Sequence, residues 1–432
     1  MAAALLAAAV LPSGPPGIGV PLLAVLIAAG VVSARRPAPR VLVFLGLGIV
    51  LASFSAVRDA GWVVAVDLCA AWLIGCVAVA GSRVAAVGAP FARLTELPGV
   101  VPQGPRGLAP AFRGAVLGGF VVVPFAGLFL AADAAFAELG SRIPLPSVES
   151  IPVRVATFGI VLVAALGLAL VARRPLEAAE RTARGRLAPI EWTIPLVSLV
   201  ALFAAFVAVQ LAVLFGGHDH VLETAGLTYA EYAREGFWEL LTAAALTLTV
   251  IAAAARLAVT PQRRHRILLT TLLGLLCTLT LVVLASALHR LQLYEDAYGL
   301  TRLRLSAEAL ALWLGGAFVV VVVAGLVRAV RSRLADLAAA GTALALIAFS
   351  LVNPDALIAK RNIAHWHETG RIDIPYLSRL SADAVPELAR LPRPVRDDAV
   401  LDLADELGQA EPWSSTNLGR ERARDALERS AH

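Results

Sequence analysis

The chain has 432 residues, of which 59% are hydrophobic and 16% charged, with a formal net charge of +5. That balance excludes an ordinary soluble domain, in which about a quarter of the residues are charged. Three cysteines exclude a disulfide scaffold, and basic residues dispersed over short segments without interleaved aromatics exclude a nucleic-acid interface.

The first residues, AAALLAAAVLPSGPP, offer about ten apolar positions before a Pro/Gly break and read as a cropped or re-entrant half-helix. They lack the basic segment and cleavage site of a secretory signal. Ten apolar stretches of roughly 17 to 23 residues follow: 17–34, 41–57, 61–81, 114–134, 155–172, 193–215, 239–258, 267–289, 308–327 and 335–352. At about 1.5 Å of rise per residue, such stretches suit a hydrocarbon core of about 30 Å. The expected fold is an all-α, polytopic transmembrane helix bundle of about ten spans over residues 1–352. A small extracytoplasmic helical tail over 353–432 follows it.

Arginine sets the orientation, because positive charge stays on the cytoplasmic side. The segments 35–40, 83–113, 173–186, 256–266 and 328–333 hold 19 Lys and Arg residues; the alternate set, 58–60, 133–154, 216–237 and 290–307, holds 7. The first set is expected inside and the second outside, together with the tail. The expected location is the plasma membrane and the expected partner the lipid bilayer, with an outer ligand or partner protein unnamed. All five tyrosines fall in the outer segments. So do six of the seven histidines, with His265 inside. An interfacial aromatic belt accounts for part of this, but a belt would occupy both surfaces.

Two outer segments carry most of the polar chemistry. In LFGGHDHVLETAGLTYAEYAREGFWEL, Thr228 and Glu231 form a capping box. Beyond it Tyr229, Tyr232, Gly236 and Phe237 recur at helical spacing, with Arg234 on the other side. The second segment, HRLQLYEDAYGLTRLRLSAEALALW, presents Tyr294, Tyr298, Arg302 and Arg304 as an outer loop in the same plan. After the last span, Pro354 turns the chain at Asn353. Short amphipathic helices follow, one with Val400, Leu403 and Leu407 as its apolar stripe.

The blocks QLAVLFGG, GLTYAEYAREGFWEL, LYEDAYGLTRLRL, NPDALIAKRNI and DIPYLSRLSADAVPEL resemble the multi-pass bacterial membrane proteins, common in actinobacteria, of domain-of-unknown-function 4173. The resemblance covers roughly residues 110 to 420. It rests on Gly216, Gly217, Tyr229, Tyr232, Arg234, Gly236, Phe237, Tyr298, Gly299, Asn353, Pro354, Asp355 and Asn362. It implies an integral membrane protein without an established activity, and the histidines stand outside its pattern.

The residues themselves offer several chemistries. His218-Asp219-His220 and His365-Trp366-His367 each place two imidazoles on one face of an extended segment, where a cation could be shared. His218 and His220 are the candidate metal pair, against the plainer reading of loop histidines. Asp67 lies about 9 Å below the outer surface at helical rise. It reads either as a partly hydrated acid paired with a nearby arginine such as Arg58 or as a proton- or ion-coupling site. Gln210 reads as helix-to-helix glue. Neither a nucleophile elbow, an S-x-x-K pair, a Walker loop nor a dinucleotide fingerprint is present, so no catalytic residue and no cofactor is assigned.

The candidate ligand-binding residues are Tyr229, Tyr232, Arg234, Tyr294, Tyr298, Arg302, Asn353 and Asp355, with tyrosines as walls and arginines orienting a polar group. The leading expectation is a ligand-handling membrane protein, transporter-like or a sensory scaffold. A membrane enzyme acting on a lipid-linked envelope substrate and a structural partner-binding protein stay open beside it.

Overall fold

A computed structural model describes residue 7 and residues 14–34, 37–80, 189–215, 237–258 and 260–431. These are mostly helical and contain no strand. The longer helices are α1 (Gly19–Ala34), α2 (Pro39–Ser53), α3 (Gly61–Ala80), α4 (Pro189–Phe215), α5 (Phe237–Leu257), α6 (Arg263–Tyr298), α7 (Arg302–Leu326) and α8 (Leu334–Val352). Three more, α9 (Pro354–Thr369), α10 (Arg393–Leu407) and α11 (Leu418–Ala431), lie in the region read as a tail.

Helices α1 to α8 fall on eight of the expected spans. The stretches 114–134 and 155–172 lie outside the described residues. Among the described residues five helical segments, Pro39–Ala56, Gly61–Val79, Arg263–Tyr298, Arg302–Leu326 and Leu334–Val352, are long and apolar enough to cross a membrane. Their outward faces are apolar too, with Val43, Leu312, Leu344 and Leu351 each more than half exposed. Water would not tolerate such continuous faces, whereas hydrocarbon matches them. Some hydroxyls on the apolar helices are spent locally: on α6 Thr280 Oγ1 donates to Leu276 O at 2.7 Å and on α5 Thr247 Oγ1 donates to Ala243 O at 2.7 Å. Neither hydroxyl is therefore left bare in an apolar medium.

The chain forms two compact units. One comprises Met1–Leu176, Leu346–Asn353 and Ile374–His432; the other comprises Glu177–Ala345 and Pro354–Asp373. In the first, α2 packs between α1 and α3, and α10 and α11 pack with the short helix Val385–Leu388. Val400, Leu403 and Leu407 are buried, as the stripe on α10 predicts. In the second, α6 is central: α4, α5 and α7 pack on it around Trp192, Leu241, Leu276, Cys277, Leu314 and Phe318.

The division differs from the expected boundary at residue 353. The segment carrying α9 groups with α4 to α7, whereas residues from Ile374 onward group with α1 to α3. The segment 290–304 also differs from the expected loop. Helix α6 continues through Tyr298, and only Gly299, Leu300 and Thr301 separate it from α7. Gly299 makes so tight a link possible because its φ is 74°, a conformation that costs glycine little, and its N–H closes α6 on Glu295 O at 2.8 Å. Thr301 then caps α7, its hydroxyl accepting from Arg304 N at 3.4 Å.

Candidate functional site

Two polar clusters stand out, one in each unit. In the unit of α6 and α7 the cluster is built on the turn between them. Arg302 grips Asp355 with both arms of its guanidinium, Nε to Oδ1 at 3.0 Å and Nη2 to Oδ2 at 2.5 Å. The Asp355 side chain is fully buried and that of Arg302 is 34% exposed. A bidentate pair of this kind fixes geometry strongly. It ties the first residue of α7 to the first turn of α9, where Asp355 also favours the positive end of the helix. Asn362, two turns along α9, donates Nδ2 to Leu300 O at 2.7 Å and to Ile358 O at 2.8 Å. A Cβ on Gly299 would collide with Asn362 Oδ1, so glycine is required here for space as well as for conformation.

On that pinned turn sits an aromatic and cationic platform. The rings of Tyr294 and Tyr298 lie 5.0 Å apart, one helical turn from each other on α6. The Arg304 guanidinium lies over Tyr294 at 4.3 Å and reaches Tyr298 at 6.0 Å. Arg304 Nη1 donates to Tyr298 O at 3.2 Å and to Gly299 O. Tyr298 is 56% exposed. Arg302 is thus committed to a carboxylate, while Arg304 keeps a planar cation on tyrosine faces beside an exposed ring.

In the other unit the cluster joins the loop after α2 to the distal chain. Asp383 Oδ2 accepts the backbone N–H groups of Asp59 at 2.7 Å and Ala60 at 3.0 Å, and Asp59 Oδ2 in return accepts Ala382 N at 3.0 Å. Asn417 donates Nδ2 to Ser55 O at 2.9 Å and to Arg58 O at 2.8 Å. Its Oδ1 accepts from Gly419 N and Arg420 N, which caps α11. Arg420 pairs with Asp59 at 2.6 Å and with Glu411 at 2.8 Å. A side chain on Gly17 would strike the Ser415 backbone, and Ile18 N donates to Thr416 O at 3.1 Å, so the start of α1 is held by the same segment. Burial pushes the Asp383 carboxyl up to about 6, against the Ala60 and Asp59 N–H groups and the Arg58 charge, all of which favour ionisation.

Arg58 does not pair with Asp67, contrary to one of the two expectations for that acid. Its Nε donates to Ser350 O at 2.7 Å and its Nη2 to Leu351 O at 2.9 Å. The reason is local: α8 ends here, and its last carbonyls and negative dipole end attract a cation. Asp67 instead accepts Ser350 Oγ at 2.7 Å. Asn353 ends α8 with a φ of 59°, where Pro354 opens the next helix at a position that needs no N–H.

Of the candidate ligand-binding residues, Tyr294, Tyr298, Arg302 and Asp355 are brought together around the α6–α7 turn. Asn353 belongs to the other unit. Tyr229, Tyr232, Arg234, His218 and His220 lie outside the described residues; Gln210 is on α4, its side chain outside them too. His365 and His367 are on α9, where residues two apart point to different sides, so the shared-face geometry of an extended H-x-H is lost. Among the described residues no group of three His, Cys, Asp or Glu side chains could hold a metal ion. A cavity of about 170 Å³ between α1, α2 and α3 is lined by apolar residues such as Leu23, Ile27, Leu45 and Trp72, and by none of the candidates.

Sequence reasoning placed Arg304 beside the tyrosines without assigning it a role. It missed Asp59, Asp383, Asn417 and Arg420 altogether. The motif N-L-G-R at 417–420 does carry a helix-start signal, since Asn is a preferred cap. Nothing local marks Asp59 or Asp383.

A family model for DUF4153, a domain of unknown function, matches residues 21–391. The chain belongs to the DUF4153 family. The sequence blocks lead to an expectation of domain-of-unknown-function 4173; the family model that covers most of the chain is that of DUF4153. No curated protein and no solved structure matches it.

Proposed function

We propose that this DUF4153 protein is an integral plasma-membrane protein of about ten spans that handles an anionic ligand on the α6–α7 turn, as a transporter-like protein or a sensory scaffold. The arrangement that carries the reading is the Arg304 guanidinium stacked 4.3 Å over Tyr294 beside the exposed Tyr298. The Arg302–Asp355 pair serves as the positioning element beneath it. A planar cation on an aromatic face suits a carboxylate or phosphate, which its edge can bind while the rings flank the ligand. Tyr229, Tyr232 and Arg234, expected from the sequence to bind the same ligand, stay part of this reading. An outer location, with the distal chain on the same side, is supported by the 19 to 7 distribution of basic residues. Kinship with the actinobacterial group of domain 4173 is part of the same proposal.

Titration calorimetry on the full chain in nanodiscs tests it with three probes: acetate, inorganic phosphate and short-chain phosphatidylglycerol. At least one binds, and Arg304→Gln weakens it about tenfold, a loss of about 1.4 kcal/mol. Preference for phosphatidylglycerol over phosphate identifies a lipid headgroup as the source. Equal binding by wild type and Arg304→Gln for all three probes contradicts the proposal.

A partner-binding scaffold is a second reading, favoured by Leu401 at 63% and Trp413 at 64% exposure on the distal chain. Loss of a co-purifying protein in Trp413→Ser, with phosphate and lipid binding intact, would favour it.

A further inference from the structure

Asp67 lies on α3, a helix able to cross a membrane, and is only 1% exposed. Its two carboxyl oxygens differ. Oδ2 accepts the Ser350 hydroxyl at 2.7 Å, whereas Oδ1 is buried with no hydrogen-bond partner. No cation pairs with the carboxyl among the described residues. Of the charged groups on the elements packed against α3, Arg40 of α2 lies 5.7 Å from the Phe44 ring centroid. Arg58 is spent on the Ser350 and Leu351 carbonyls, and Asp59 is bound to Arg420. An ionised carboxylate in an apolar medium needs a countercharge or a full set of donors, and this one has a single hydroxyl.

We propose that Asp67 and Ser350 form an intramembrane proton-binding site, the proton resting on Asp67 Oδ1. A metal cation is a poorer occupant. The pair offers two carboxyl oxygens and one hydroxyl, fewer than the six to eight oxygens that a hard cation such as Ca²⁺ gathers. The site is also wired to the distal chain. Ser350 gives its hydroxyl to Asp67 and its carbonyl to Arg58, and the Arg58 carbonyl accepts Asn417 Nδ2. Removing the proton would place an uncompensated charge one hydrogen bond from the capped end of α8. This inference is independent of the ligand surface on the α6–α7 turn.

Infrared spectroscopy of the full chain in phosphatidylcholine vesicles, with ¹³C-labelled aspartate to isolate these carboxyls, tests the site. At neutral pH the protein shows a protonated-carboxyl C=O band that is missing in Asp67→Asn. Because that variant could fail to fold, Ser350→Ala provides the second reading: the band persists but moves to higher frequency, having lost its hydrogen bond. Absence of an acid band sensitive to either substitution at neutral pH overturns the proposal. Disappearance of the band on adding sodium at constant pH overturns it equally, by making the occupant a metal cation.

Discussion

The α6–α7 turn and the junction of the distal chain with the loop after α2 are both rich in arginine, but they use it differently. At the junction Arg58 and Arg420 are 7% and 5% exposed and satisfy carbonyls and carboxylates, while Asn417 is 1% exposed and bonds at both ends of its amide. At the turn the labour is divided. Arg302 is consumed by Asp355, whereas Arg304 rests on tyrosine rings beside an exposed Tyr298. Buried and reciprocally paired groups hold a structure together, and removing one of them strands its partner. A cation stacked on rings and kept near solvent has more to offer a ligand.

The largest effect that contrast predicts is at Arg420. Arg420→Ala leaves Asp59 and Glu411 without their cation and costs about 3–5 kcal/mol. It is measured as lost hydrogen-exchange protection and faster proteolysis of residues 374–431. Asn417→Ala removes a helix cap and frees the Ser55 and Arg58 carbonyls, for about 2–3 kcal/mol, read first as exchange at the start of α11. Gly299→Ala forces a left-handed conformation on alanine against Asn362, and should lower stability by about 1–3 kcal/mol in thermal melts of the detergent-solubilised chain.

The smallest effect is one of pH. Asp383 has its pKa raised to about 6 by burial, so the folded state binds the proton more tightly than the unfolded chain does. Stability contributed by this group therefore falls as pH rises from the ordinary carboxylate range to about 6, and is constant above that. Protection of the distal chain at pH 5 should exceed that at pH 7.5 by about 1 kcal/mol, a difference that Asp383→Asn removes. An unchanged difference in Asp383→Asn would assign it to another group.

The same contrast governs what could be read from the sequence. The turn was legible because its parts are near one another in the chain: Tyr294, Tyr298, Arg302 and Arg304 fall within three helical turns, and apolar periodicity located the helices on either side. Even so, its helical continuation through Tyr298 was hidden, because polar residues at a helix end resemble a loop. The junction was illegible for the opposite reason. Asp59 meets Asp383 324 residues away, and Asn417 reaches Ser55 across 362. A local pattern assigns Asp59 to a short loop and Asp383 to a surface helix, since pairing over such distances depends on tertiary packing. Asp67 was recognised as an anomaly by its place in an apolar run, but its partner Ser350 was not, being one hydroxyl among many. The turn at Asn353 followed from Pro354 alone.

In the proposed function Arg304 serves chiefly ligand binding, while Arg420 serves stability. Thermal melts of wild type, Arg304→Gln and Arg420→Ala in nanodiscs, each with and without the anionic probe that binds the wild type, measure both roles at once. The prediction is that Arg304→Gln, which gives up its bonds to the Tyr298 and Gly299 carbonyls, melts slightly below the wild type without probe and loses the probe-induced rise, whereas Arg420→Ala melts lower still yet keeps that rise. A Gln variant destabilised as much as Arg420→Ala, or one that retains the full probe-induced rise, would contradict it.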